Sequence, residues 1–120
     1  MARYEDLRVW KLAHDLARKV RHLTRDFPRE ERYELASQLR RAALSVPCNL
    51  VEGSGQRGAR MFLRYTRIAI GSLGEVEYLL LMSRDESYIS EERHTALKKE
   101  IGHVRVLLHR LAAALERAGH

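Results

Sequence analysis

The chain has 120 residues, enough for one domain around a single core. Hydrophobic residues make up 45% and charged residues 32%, with 2 prolines, 7 glycines and 1 cysteine. This balance predicts a soluble folded chain, argues against an all-β protein, and excludes an internal disulfide or a cysteine-based zinc site. The net charge is +6, and arginine supplies 18 of the 22 basic residues. A planar guanidinium donates two parallel hydrogen bonds to phosphate or carboxylate, so an anionic partner is expected, nucleic acid before a membrane surface. A merely solvated basic surface is the competing reading.

Residues 1–60 hold 13 Lys or Arg against 8 Asp or Glu, and residues 61–120 hold 9 against 8, so the excess lies mostly in the first half. The opening Met1–Leu7 carries no apolar signal region, and no apolar run approaches the ~20 residues of a membrane span. The chain is expected to be cytoplasmic and bacterial, with no membrane partner.

The first predicted helix covers Asp6 to Arg25. Val9, Trp10, Leu12, Ala13, Leu16, Ala17, Val20 and Leu23 form its core stripe. The opposite face carries Lys11, His14, Arg18, Arg21, His22 and Arg25, with one acid, Asp15, beside them. An ordinary solvated helix carries counter-charges four residues away. Here they are few, which makes Lys11, Arg18, Arg21 and Arg25 candidate phosphate contacts.

Asp26-Phe27-Pro28 reads as a turn, and a second helix is expected from Arg29 to Glu52, with Glu30 and Glu31 at its positive end. At about 100° per residue, Leu35, Leu39, Ala42, Ala43, Val46 and Leu50 fall on one side. Gln38, Arg41, Ser45, Cys48, Asn49 and Glu52 fall on the other. Pro47 should kink this helix, with Ser45 and Asn49 placed to satisfy freed backbone groups, and Gly53 should end it. Cys48 is expected to be a small packed residue.

Residues 53–58 hold three glycines but lack the Gly-Lys-Ser/Thr of a phosphate loop, and no strand precedes them. They read as a hairpin between helices in which Arg57 can touch a phosphate. The third helix is expected over Ala59 to Ser83, with the widest apolar face and a basic series Arg60, Arg64 and Arg67. Gly71, Ser72 and Gly74 should admit a close neighbour helix, beside which Glu75 should pair with Arg41 or Arg40. Ser90 can cap a fourth helix running to Arg117. Four long helices with short connections predict an all-α, antiparallel up-down four-helix bundle spanning 1–120 as a single domain.

Four-helix bundles can hold di-iron sites built from Glu-x-x-His on separate helices. Glu91–His94 and Glu100–His103 have that spacing but share one helix, so no metal is expected. No nucleophile, base and orienting group can be assembled, and neither an enzyme nor a cofactor is expected.

Several segments together carry a resemblance. They are Leu7-Arg8-Val9-Trp10, Phe27-Pro28 with Glu31, Gln38 to Ala43, Ser45 to Gly53, and Gly71-Ser72-Leu73-Gly74-Glu75. The chain resembles the bacterial 23S rRNA intervening-sequence protein family, many of whose members are encoded inside insertions in the large ribosomal RNA gene. The resemblance implies an up-down four-helix bundle and a ring-like homopentamer. The accessory protein of diversity-generating retroelements is a related basic bundle that binds nucleic acid and a reverse transcriptase. The matching positions Gln38, Arg40, Arg41, Ser45, Pro47, Asn49, Glu52, Gly53, Ser72 and Glu75 bring no catalytic role with them. Cys48 stands where the family often has alanine.

The leading expectation is therefore a non-enzymatic, oligomeric nucleic-acid-binding bundle, RNA before DNA. Its contacts would be Lys11, Arg18, Arg21 and Arg25 together with Arg57, Arg60, Arg64 and Arg67. Gln38, Arg41, Ser45, Asn49, Glu52 and Glu75 would form a structural or interface network. A protein-interaction scaffold, for instance an adaptor for a reverse transcriptase, is the second expectation, and a metal-dependent oxidase the third.

Overall fold

The computed structural model describes residues 4–119. Residues 1–3, on which the reading of the chain start partly rests, and residue 120 lie outside them. Four helices make up the fold: α1 (Arg8–Leu23), α2 (Leu35–Ser54), α3 (Ala59–Asp85) and α4 (Glu91–Ala118). No strand occurs among the described residues. Cross-helix pairs fix the directions. Gly53 of α2 abuts Phe62 of α3 while Ser45 meets Ser72. Arg67 and Glu77 of α3 pair with Glu116 and Arg105 of α4. Sequence numbers rise on one helix as they fall on its neighbour, so the bundle is antiparallel and up-down. Each helix packs on the next and α4 returns to α1, which leaves α1 and α3 on a diagonal.

The core follows the expected periodicity. Leu16, Val20, Leu39, Val46, Leu50, Leu73, Val76, Leu80, Ile101, Val104 and Leu108 are almost fully buried. Each such side chain contributes about 1.5–3 kcal/mol of transfer free energy. Trp10, Leu12 and Ala17 pack half-buried at the edge of this core. Two polar residues inside it are satisfied locally: buried Thr66 and Ser83 donate to the carbonyls of Phe62 and Leu79, one turn back. His94, near the start of α4, is buried as well.

Three local expectations are corrected. The segment Arg29–Glu34 is not the first part of α2. It forms a short 3-10 turn, Arg29–Glu31, and then an irregular turn before α2 starts at Leu35. The sequence Arg-Glu-Glu-Arg-Tyr-Glu has no apolar stripe to hold it against the core, so its helix propensity goes unused. Second, Gly53 does not terminate α2 but is packed inside it. A Cβ there would stand 2.8 Å from Phe62 Cδ1 and 2.9 Å from Tyr65 Cβ. Third, Gly71 and Gly74, expected to admit a neighbour, are exposed, with nothing within 4 Å of where a Cβ would be. The close approach between helices is therefore made at Gly53.

Helix α2 runs unbroken through the buried Pro47. Asn49 Nδ2 donates to the Ser45 carbonyl at 2.8 Å and to Ser45 Oγ at 2.9 Å. The carbonyl it reaches is thus that of Ser45 and not the one on Ala43 that proline leaves without its usual donor. Gly58, at φ +83°, turns the chain into α3, and Ser90 Oγ accepts from the Arg93 N–H to cap α4. The shortest helix is α1, 16 residues against 28 in α4, and their seam is the most thinly packed of the four.

Candidate nucleic-acid interface

Helix α1 places its basic residues outward because its core positions, Val9, Ala13, Leu16, Val20 and Leu23, recur at three- and four-residue spacing. Lys11, Arg18 and Arg21 are all exposed, and Arg25 continues the row in the 3-10 turn that follows, Thr24–Asp26. None of the four makes an ion pair among the described residues. By contrast Lys19, on the flank toward α4, is tied to Glu100. The counter-charged lysine faces the seam, and the uncompensated charges face solvent.

The second series sits elsewhere. Arg57 lies exposed in the α2–α3 connection, and Arg60, Arg64 and Arg67 follow along the outer side of α3. Arg67 bonds Glu116 at 3.0 Å. Because α1 and α3 are diagonal, the two series do not form one surface. They point from opposite corners of the bundle.

The sequence reading missed a third cluster. The detour of Arg29–Glu34 carries arginines from two sides into one corner between α1 and α2. A cavity of about 500 Å³ opens there, lined by Arg25, Arg29, Arg32 and Arg40, with Tyr33 at its edge. Arg40, expected to turn toward Glu75, reaches Thr24 Oγ1 at 3.3 Å instead. The available signal was the run of arginines around Pro28, but their convergence depends on the path of an irregular turn.

On the α2–α3 side the polar network is partial. Ser45 bonds Ser72 at 2.8 Å, and Asn49 bonds Ser45. Arg41, Glu52 and Glu75 are exposed, as are Gln38 and Cys48, and none of the three charged residues makes an ion pair among the described residues. The expected Glu75–Arg41 or Glu75–Arg40 pair is not formed within the chain, and Cys48 is not packed.

Toward the same end of the bundle as the arginine corner, the α2–α3 groove is acidic, with Glu31, Glu34 and Glu86 around Gln38 and Tyr78. Tyr88 donates its hydroxyl to Glu31 Oε2 at 2.8 Å. That hydrogen bond to a carboxylate, helped by partial burial, pushes the Tyr88 phenol up to about 12. On the α1–α2 side, Leu44 and Val51 are exposed next to Trp10, Pro47 and Cys48, around a shallow cavity of about 380 Å³. The indole Nε1 of Trp10 is buried without a hydrogen-bond partner. No cluster of three or more His, Cys, Asp or Glu among the described residues could hold a metal, and no described helix is long and apolar enough to cross a membrane.

Comparison with known proteins places this arrangement. The family model described as 23S rRNA-intervening sequence protein matches residues 5–110. The structure is similar to a crystal structure of a protein of unknown function from the S23 ribosomal protein family of Bacteroides thetaiotaomicron VPI-5482. That similarity has a TM-score of 0.81 at 20% sequence identity, covering 88% of this chain and 95% of the other. At that identity it speaks to the fold alone. No curated protein matches the sequence.

Proposed function

The chain belongs to the 23S rRNA-intervening sequence protein family, and on that footing we propose that it is a non-enzymatic, cytoplasmic nucleic-acid-binding bundle whose partner is RNA rather than DNA. One observation carries the reading. Lys11, Arg18, Arg21 and Arg25 stand in an exposed row with no ion pair among the described residues, while nearby Lys19 is neutralised by Glu100. A row of unneutralised charges along one helix is an electrostatic footprint for phosphates, which lose their condensed counterions on binding.

Binding of this kind is read mainly from the backbone and carries little sequence preference. It weakens steeply with salt, by a log–log slope of about 0.7 to 0.9 per phosphate neutralised. Titration of a labelled structured RNA at two salt concentrations tests it. Binding that is absent, or indifferent to salt, defeats the reading.

The protein acts as a homo-oligomer in this proposal, a pentamer by family resemblance. Support comes from Arg41, Glu52 and Glu75, which are exposed, make no ion pair among the described residues and are free to pair between copies. A second reading, a scaffold for a protein partner such as a reverse transcriptase, draws on exposed Leu44 and Val51 beside the unpaired Trp10 indole. Recovery of partners from the native host with and without nuclease separates the two, since nuclease-resistant partners favour the scaffold.

A further inference from the structure

The corner between α1 and α2 differs in kind from the basic row on α1. The row is a convex helix surface, whereas the corner is concave. Phe27-Pro28 ends the first helical segment, with Phe27 in extended backbone, and the chain takes a 3-10 turn and an irregular turn before α2. That path brings Arg29 and Arg32 off any helix axis, to a cavity already flanked by Arg25 from one side and Arg40 from the other. No carboxylate lines this cavity, and none of the four arginines makes an ion pair among the described residues. Arg40 is anchored at Thr24 Oγ1, so at least one guanidinium is held in place.

Four like charges around one cavity repel each other, and an anion seated among them lowers that repulsion. Guanidinium forks match the oxygen geometry of phosphate. A volume of about 500 Å³ lies within the range of small-ligand sites and leaves room for more than a phosphate group. The ring on the rim decides what else enters. Tyr33 is 85% exposed, in a turn with no neighbour covering it. An uncovered aromatic face next to clustered arginines is the pairing that proteins use to stack a base while holding its backbone. A base inside a duplex is already stacked on both sides and cannot offer its face.

We propose that this corner seats one unpaired nucleotide, its phosphate among Arg25, Arg29, Arg32 and Arg40 and its base on Tyr33. The site thus selects single-stranded or looped nucleic acid over uninterrupted duplex. The inference rests on the nucleic-acid reading and adds to it a defined pocket and a preferred conformation of the ligand.

The test is a fluorescence-anisotropy titration of a labelled single-stranded RNA and of the same strand in a perfect duplex. The full chain is compared with Tyr33→Ala, Tyr33→Phe, the pair Arg29→Ala with Arg32→Ala, and the pair Arg18→Ala with Arg21→Ala. All these side chains are exposed, so the variants should keep the helical circular dichroism of the parent. Tyr33→Ala should weaken single-strand binding about tenfold and leave duplex binding unchanged, while Tyr33→Phe keeps both. The Arg29/Arg32 pair should weaken single-strand binding and reduce the salt slope by about 0.7, the share of the one phosphate the corner holds. Single-strand binding that survives both Tyr33→Ala and the Arg29/Arg32 change, but is lost in the Arg18/Arg21 pair, overturns the pocket and leaves the α1 row as the interface. Failure of the parent chain to bind any RNA at low salt overturns the nucleic-acid reading itself.

Discussion

Ser45 of α2 and Ser72 of α3 join their helices through a hydroxyl–hydroxyl hydrogen bond of 2.8 Å at a half-buried position. Ser45 Oγ also accepts from Asn49, which leaves its hydroxyl hydrogen free to donate to Ser72 Oγ. A neutral bond of this kind contributes about 0.5–1.5 kcal/mol net. Ser72→Ala should lower stability by about 1 kcal/mol, and Ser45→Ala by more, because Asn49 then loses an acceptor. Denaturant unfolding of the two single variants and the double variant measures the coupling. Strictly additive losses would show that the bond carries no energy.

Replacing Arg18, Arg21 and Arg25 together by Ala should weaken RNA binding by reducing the number of phosphates neutralised, with the salt slope falling by about two to three. The melting temperature should move little, since exposed charges without partners contribute little to folding. A large drop in melting temperature would place these arginines in the fold and not at the partner.

Glu52 has no ion pair among the described residues and is exposed. If copies of the chain meet through this face, Glu52→Ala should lower the mass in solution, read by light scattering, toward that of the monomer. An oligomer of unchanged mass and stability would remove Glu52 from the interface.

The glycines separate packing from exposure. Gly53→Ala should cost about 1–3 kcal/mol, because the new methyl collides with Phe62 and the Tyr65 Cβ. Gly71→Ala faces open space and should stabilise the isolated bundle by about 0.5–1 kcal/mol through helix propensity. Comparing their thermal midpoints decides the matter. A loss at Gly71 that grows with protein concentration would reveal a second copy packed there.

Tyr88 should ionise at about pH 12 instead of near 10, as read from phenolate absorbance. Its folded value lies above its unfolded value, so the stabilisation it brings is complete below about pH 10 and fades as the pH climbs from 10 toward 12. Glu31→Gln keeps an acceptor but removes the charge, and should bring the Tyr88 titration back toward the ordinary tyrosine value.

The bundle was legible because its signal is periodic. Val9, Ala13, Leu16, Val20 and Leu23 needed only helical spacing to be placed inside. The α1 row was legible as the complement of that stripe. What the spacing could not supply was anything set by a turn or by a specific neighbour. Glu30 and Glu31 imitate the acidic first turn of a helix, yet nothing apolar near them holds such a turn to the core, and so the arginine corner stayed hidden. Gly71 and Gly53 look alike in sequence, and only the Phe62 ring against one of them tells them apart. Glu75 and Arg41 can be drawn together from helical spacing, but both are exposed, and neither makes an ion pair among the described residues.

The thin seam between α1 and α4 bears on motion. Local opening follows the least buried contacts. In this bundle the amides of α1 and α4 should exchange with solvent before those of α2 and α3, which share the most closely packed seam. The helix that carries the basic row therefore borders the loosest seam of the bundle. A polyanion laid along it would slow that exchange, so that occupancy of the surface is recorded as protection in the backbone beneath it.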